Sequence, residues 1–216
     1  MAFEVLDEHE QGELVQKWLR ENALTILIGV GLGLVLIFGW QQWNSHRARH
    51  SVDAATQYDV LATDADKKDY DAVKQIAAKL RTDYADTPYA VLAALREADF
   101  AVQRADLGSA RTSLEWAYQH GGIDAMKAIA GLRLARVELA QTHAQDALDL
   151  LDKLPSAGYA AEIGELRGDA LVVLNRRDEA RTAYADALAN LDPNAPNRNF
   201  VQMKLNDLGS AEKKGS

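Results

Sequence analysis

Residues Ala23 to Trp40 form an 18-residue run without a single charged side chain, ALTILIGVGLGLVLIFGW. As a helix rising about 1.5 Å per residue it covers about 27 Å, close to the roughly 30 Å of hydrocarbon in a bilayer. No second run of this kind occurs, and the rest of the chain is polar and alanine-rich. The expected plan is one membrane-spanning helix over 23–43 carrying a tethered soluble domain, which excludes a channel or a multi-span transporter.

A cleaved signal peptide fits poorly. It needs a basic start, a shorter apolar core and a small-residue cleavage site. The first 22 residues instead carry six acidic side chains against Lys17 and Arg20, and the run ends in Gly39-Trp40-Gln41-Gln42-Trp43. Trp18 on one flank, with Trp40 and Trp43 on the other, suits the headgroup layer, where an indole keeps its N–H wet and its ring in apolar surroundings. Arg47 and Arg49 extend the second interface. Gly29 and Gly33 form a small-xxx-small pair that allows another membrane helix to approach closely, although glycine is also common in such helices without a contact. Orientation cannot be read from charge, because Lys17 and Arg20 face Arg47 and Arg49 two against two. Leu14, Val15, Trp18 and Leu19 share one helical face, so residues 1–22 read as an acidic tail ending either in a short interfacial helix or in an extension of the span.

The 173 residues after Trp43 suffice for one domain. The formal net charge is −8, shared equally between the first 22 residues and residues 44–216. An acidic chain without a dense basic face does not suit nucleic acid. The absence of cysteine removes disulfides, thiolate metal sites and thiol nucleophiles together.

The soluble part reads as all-helical, and it repeats. Leu95-Arg96, Leu132-Arg133 and Leu166-Arg167 recur at spacings of 37 and 34; Ala110, Ala147 and Ala180 recur at 37 and 33. After these alanines come Leu114 and Ala117, Leu151 and Leu154, Tyr184 and Ala187 at +4 and +7. A weaker copy begins at Ala72 and Ile76 but fails at Lys79. A helix–turn–helix unit of about 34 residues is the tetratricopeptide period. One unit cannot bury its apolar face alone, so neighbours stack into an α-solenoid. Four helix pairs are expected near 51–84, 87–120, 122–154 and 158–191. A capping helix near 197–208 follows, with Val201, Met203, Leu205 and Leu208 as its apolar positions, and residues 211–216 read as a disordered tail. Helix starts are marked by Thr87-Pro88, Asp106 and Ser156.

In order along the chain, the acidic start, the glycine-rich span, Gly39-Trp40, Trp43-Asn44-Ser45-His46, Leu132-Arg133-Leu134-Ala135-Arg136-Val137, Gly158 with Ala160-Ala161, Leu166-Arg167-Gly168, and Gln202-Met203-Lys204 before Leu208 resemble the YfgM family. These are bacterial inner-membrane proteins described as ancillary subunits of the SecYEG translocon. The resemblance implies a cytoplasmic N-terminus and a periplasmic repeat domain. It also implies association with the translocon and with PpiD, a membrane-anchored periplasmic chaperone of the prolyl-isomerase class, in receiving emerging secreted chains, together with a link to an envelope stress response.

No catalytic constellation, metal site or cofactor motif stands out, and the chain is not expected to be an enzyme. His46 and His50 are spaced i, i+4, but two ligands beside Arg47 and Arg49 read as a basic headgroup collar rather than a metal site. Arg96, Arg133 and Arg167 occupy one repeat position. They suit a ladder along a client groove or pairing between repeats with carboxylates such as Glu97, Glu138 or Asp169. The leading expectation is a membrane-tethered interaction module of the secretion machinery. The alternatives are a cytoplasm-facing adaptor and a platform for an enzyme acting on peptidoglycan or lipid.

Overall fold

A computed structural model describes residues 8–210. The expected tail over 211–216, like residues 1–7, lies outside the described residues. Nine helices and no strand are present among the described residues. The chain divides into two units, residues 1–50 and 51–216.

The first unit is helical throughout its described part, as the beginning of α1 (Glu8–Asp66). Residues 15–22, read as an interfacial helix or an extension of the span, belong to this helix without a break. No residue from Ala23 to Trp40 is buried within the protein. One helix of the described residues is long and apolar enough to cross a membrane. An apolar helix with no protein around it needs another apolar medium, and a bilayer supplies one.

The second unit holds four helix pairs and a final helix. The pairs are residues 51–66 of α1 with α2 (Tyr70–Asp83), α3 (Pro88–Gln103) with α4 (Leu107–His120), α5 (Asp124–Ala140) with α6 (Ala144–Leu151), and α7 (Ala160–Val173) with α8 (Arg177–Asn190); α9 (Arg198–Ser210) closes the series. The predicted pairing stands. Ala110, Ala147 and Ala180 are each fully buried, and their partners at +4 and +7 are buried as well. The earliest copy needs correction by one residue: Val73, Ala77 and Leu80 are the buried positions, whereas Ile76 packs at the core's edge and Ala72 and Lys79 are not buried. In that register Val73 precedes Ala110 by the same 37 residues that separate Ala110 from Ala147.

The turns inside the pairs repeat as well. Lys68, Ala105, Thr142 and Asn175 all have left-handed backbones, with φ of 59°, 59°, 66° and 61°. After each, a backbone N–H reaches five residues back, from Asp69 to Asp64 O, Asp106 to Ala101 O, His143 to Glu138 O and Arg176 to Leu171 O, at 2.8–2.9 Å. This closure satisfies carbonyls that a helix end leaves open. The next helix starts at once. Asp69 caps α2 by accepting Ala72 N–H at 3.1 Å, and Asp106 caps α4 by accepting Ser109 N–H at 3.0 Å. Thr87 precedes Pro88 as expected, but its hydroxyl donates to Tyr84 O at 2.8 Å instead of capping α3. The start expected at Ser156 falls later, at Ala160. Gly158 has φ +81°, and the chain turns there before α7 begins.

Buried side chains form three successive clusters. The first joins Ala54, Leu61 and Ala65 to α2 and α3, the second joins α3, α4 and α5, and the third runs from α5 to α9. Trp116 packs against the first two, and Tyr118 and Leu150 against the last two. Each repeat thus meets only its neighbours, as in a solenoid. Small residues let helices close on one another: a Cβ at Gly164 would lie 3.1 Å from Ala187 Cβ and 3.2 Å from Ala183 O. In α9, Val201 and Leu208 are buried, whereas Met203 turns outward beside Phe200.

Candidate interaction surfaces and membrane anchor

In the first unit Trp18 and Trp40 are separated by 22 residues, about 33 Å along a helix axis. That length matches the hydrocarbon layer. Trp18, Trp40 and Trp43 are exposed, and the Arg47 guanidinium lies 5.1 Å from the Trp43 ring centre. A cation over an indole face is favourable and suits a headgroup layer. Arg49 is also exposed, and His46 and His50 follow one another by a turn. A Cβ placed on Gly29 or Gly33 would meet nothing within 4 Å, so both stand on an open face.

In the second unit the three repeated arginines are all half-exposed and all paired. Arg96 Nη2 lies 3.8 Å from Asp66 Oδ1, and Arg133 Nη1 lies 2.9 Å from Asp99 Oδ1. Both pairs tie a first helix to the first helix before it. Arg167 departs from this pattern and reaches Asp152, just after α6, at 2.5 Å. The expected partners Glu97, Glu138 and Asp169 are engaged elsewhere. The reason is direction: those three carboxylates point into the packing between helices, whereas the arginines stay at its edge.

The carboxylates form a second and deeper series. Glu97 on α3, only 9% exposed, takes Arg81 of α2 and the Ser113 hydroxyl of α4, the latter at 3.0 Å. Glu138 on α5, 3% exposed, accepts Arg111 Nε at 2.6 Å and pairs with His143 Nδ1 at 2.9 Å. This contact raises the Arg111 pKa above its ordinary value, mainly through the Glu138 hydrogen bond. Asp169 on α7 accepts the Tyr184 hydroxyl at 2.7 Å, while Lys204 Nζ of α9 donates to Asp169 and to Glu165 at 2.8 Å each. Burial, then the bond to Asp169, pushes the Tyr184 phenol well up. A carboxylate can be buried only where donors replace its water; the Glu97 and Glu138 nodes tie one helix pair to the next, and the Asp169 node ties α7 and α8 to α9. Sequence spacing gave no sign of these nodes, because the three acids do not share a repeat position.

Glu138, His143 and Asp146 bring ligand atoms within 4.8 Å of one another. Both oxygens of Glu138 are already used, by Arg111 and His143, so the group reads as an ion-pair node. An open pocket of about 530 Å³ lies beside Arg96, lined also by Asp66, Asp99, Phe100 and Val102. Its mixed charge and apolar side chains suit polypeptide contact, and it contains no nucleophile–base pair.

The family described as tetratricopeptide repeat-like domain matches residues 16–210. The chain is 31% identical over 202 residues to the ancillary SecYEG translocon subunit of Escherichia coli K12, covering 94% of this chain and 97% of that protein. The protein of the same name in Haemophilus influenzae is 28% identical over 208 residues, covering 96% and 100%. That of Aggregatibacter actinomycetemcomitans is 26% identical over an equal length. Anchor and repeats are matched together, in one order, along nearly the whole chain. The chain therefore belongs to the YfgM family, the tetratricopeptide repeat-like family of ancillary SecYEG translocon subunits.

Proposed function

We propose that this chain is a single-pass inner-membrane protein that associates with the SecYEG translocon and guides emerging secreted chains to a PpiD-like periplasmic chaperone. The observation that carries the reading is the end-to-end match of anchor plus repeats to proteins named for that association. In this reading residues 1–22 are cytoplasmic, 23–43 span the membrane and 44–210 stand in the periplasm. The domain acts by binding, not by catalysis. Tethering holds it in a thin layer at the membrane, so weak contacts meet their partners at high effective concentration. Weak contacts also release a chain in transit. Arg96 and Arg133, with the pocket beside Arg96, form the side of the domain presented to such chains, and Gly29 and Gly33 mark the face of the span open to a membrane helix.

Purification of the tagged full-length protein in mild detergent tests the association. Translocon subunits and a periplasmic chaperone are expected to co-purify, and photo-crosslinkers on the domain are expected to capture the same proteins. Capture of cytosolic proteins alone would overturn the reading in favour of a cytoplasm-facing adaptor. A reporter fused after Ser216, active in only one compartment, reads the orientation directly.

A further inference from the structure

The second helices α2, α4 and α8 each have 14 residues, but α6 has 8. A shortfall of six residues is about 9 Å of helix, over one and a half turns. The cause is local. Pro155 disfavours helix at Leu154, and the chain leaves the helix through short-range bonds from Lys153 to Leu150 O and Leu154 to Leu151 O. Where α6 stops, a groove of about 540 Å³ opens between its end, α7 and α8. Leu151, Leu154 and Ile163 line its apolar part, and Asp152, Glu179 and Asp186 line its polar part, with Arg167 the one basic residue there. Arg167 is engaged with Asp152, and Glu179 is engaged with Arg176 at 2.5 Å.

The stretch of chain that builds the groove is also the acidic part of the domain. Residues 144–190 hold nine Asp and Glu against five Lys and Arg, a net −4, while the remainder of residues 44–216 balances to zero. We propose that this groove docks a basic amphipathic helix of a partner protein, whose turn fills the space that a full-length α6 would occupy. An apolar side chain of the partner meets Leu154 and Ile163, and a flanking Lys or Arg meets Asp186. A second copy of this chain, itself at −8, is a poor match in charge. The groove shares no lining residue with the pocket beside Arg96.

The proposal rests on the domain being an interaction module, and its test is independent of the translocon. The full chain is placed in zwitterionic nanodiscs with a fluorescent peptide that has leucine and lysine at helical spacing. A benzophenone side chain at position 156, at the groove's edge, is expected to capture the peptide, and one at position 59 is not. Glu179→Lys with Asp186→Lys is expected to weaken binding about tenfold or more, whereas Asp59→Lys leaves it unchanged. Thr182→Trp fills the groove without altering charge and is expected to abolish capture, which keeps the test decisive if the double reversal folds poorly. Equal binding of a glutamate counterpart of the peptide, equal loss from Asp59→Lys, or undiminished binding to Thr182→Trp overturns the proposal. Translocon co-purification by the same variants reports separately on the functional reading.

Discussion

The four left-handed turns make a graded experiment, because the same backbone is carried by four different residues. A non-glycine residue in this conformation costs about 1–2 kcal/mol, and a β-branched one suits it least. Asparagine tolerates it best among the four. Glycine removes the strain but gives up roughly 0.5–1 kcal/mol through the freedom it adds to the unfolded chain. At Thr142, with φ 66°, the balance favours Thr142→Gly by about 1 kcal/mol. At Ala105, φ 59°, the gain is about 0.5 kcal/mol. At Asn175, φ 61°, it is near zero. The assay is reversible urea unfolding of the full chain in detergent, followed by circular dichroism, with the slope required to stay constant so that a midpoint shift reads as stability. The expected order of midpoints is Thr142→Gly above Ala105→Gly above wild type, with Asn175→Gly at wild type. A loss of stability in Thr142→Gly, or an equal gain in Asn175→Gly, would show that the turns are not strained and would refute the reasoning.

Gly168→Ala places a methyl 2.5 Å from Tyr184 Cδ1 and 2.8 Å from Cζ; the ring is held by its bond to Asp169, so a loss of about 1–3 kcal/mol is expected from overpacking, read as a lower urea midpoint. Gly131→Ala meets first the side chain of Leu154, whose end can turn away, and its loss is expected to be smaller. Lys204→Met leaves Glu165 and Asp169 facing each other, with side chains 17% and 28% exposed. The expected cost, discounted for solvent, is about 1–2 kcal/mol, and faster amide exchange confined to α9 is the check. The Asp106 carboxyl lies below its ordinary range because it accepts the Ser109 backbone N–H. A depressed carboxylate stabilises the fold above its unfolded pKa and loses that contribution as pH falls through its folded one; Asp106→Asn, which keeps the cap, is expected to flatten the acid limb of a melting-temperature profile below about pH 4.

The repeat was legible because its alanines and leucines sit where helices must pack, and packing tolerates few residue types. Its first copy was misread by one residue, since Val73, unlike Ala110, is not small and breaks the alanine marker. The turns left no mark: lysine, alanine, threonine and asparagine share no feature that announces a positive φ. The partners of the three arginines were not legible in the sequence. Which carboxylate a guanidinium meets depends on helix orientation, and Arg167 changes partner because α6 ends early and leaves Asp152 within reach. The early end itself was readable at Pro155, yet the gap it opens is a property of three helices and not of one.

Because apolar contacts come in three linked clusters instead of one shared centre, no single event needs to dismantle the domain. The pair α7–α8 with α9 can loosen while the helices nearest residue 51 keep their packing. A protein built this way yields by degrees from its far end when a neighbour tugs on it, and re-forms by adding units back onto an intact base.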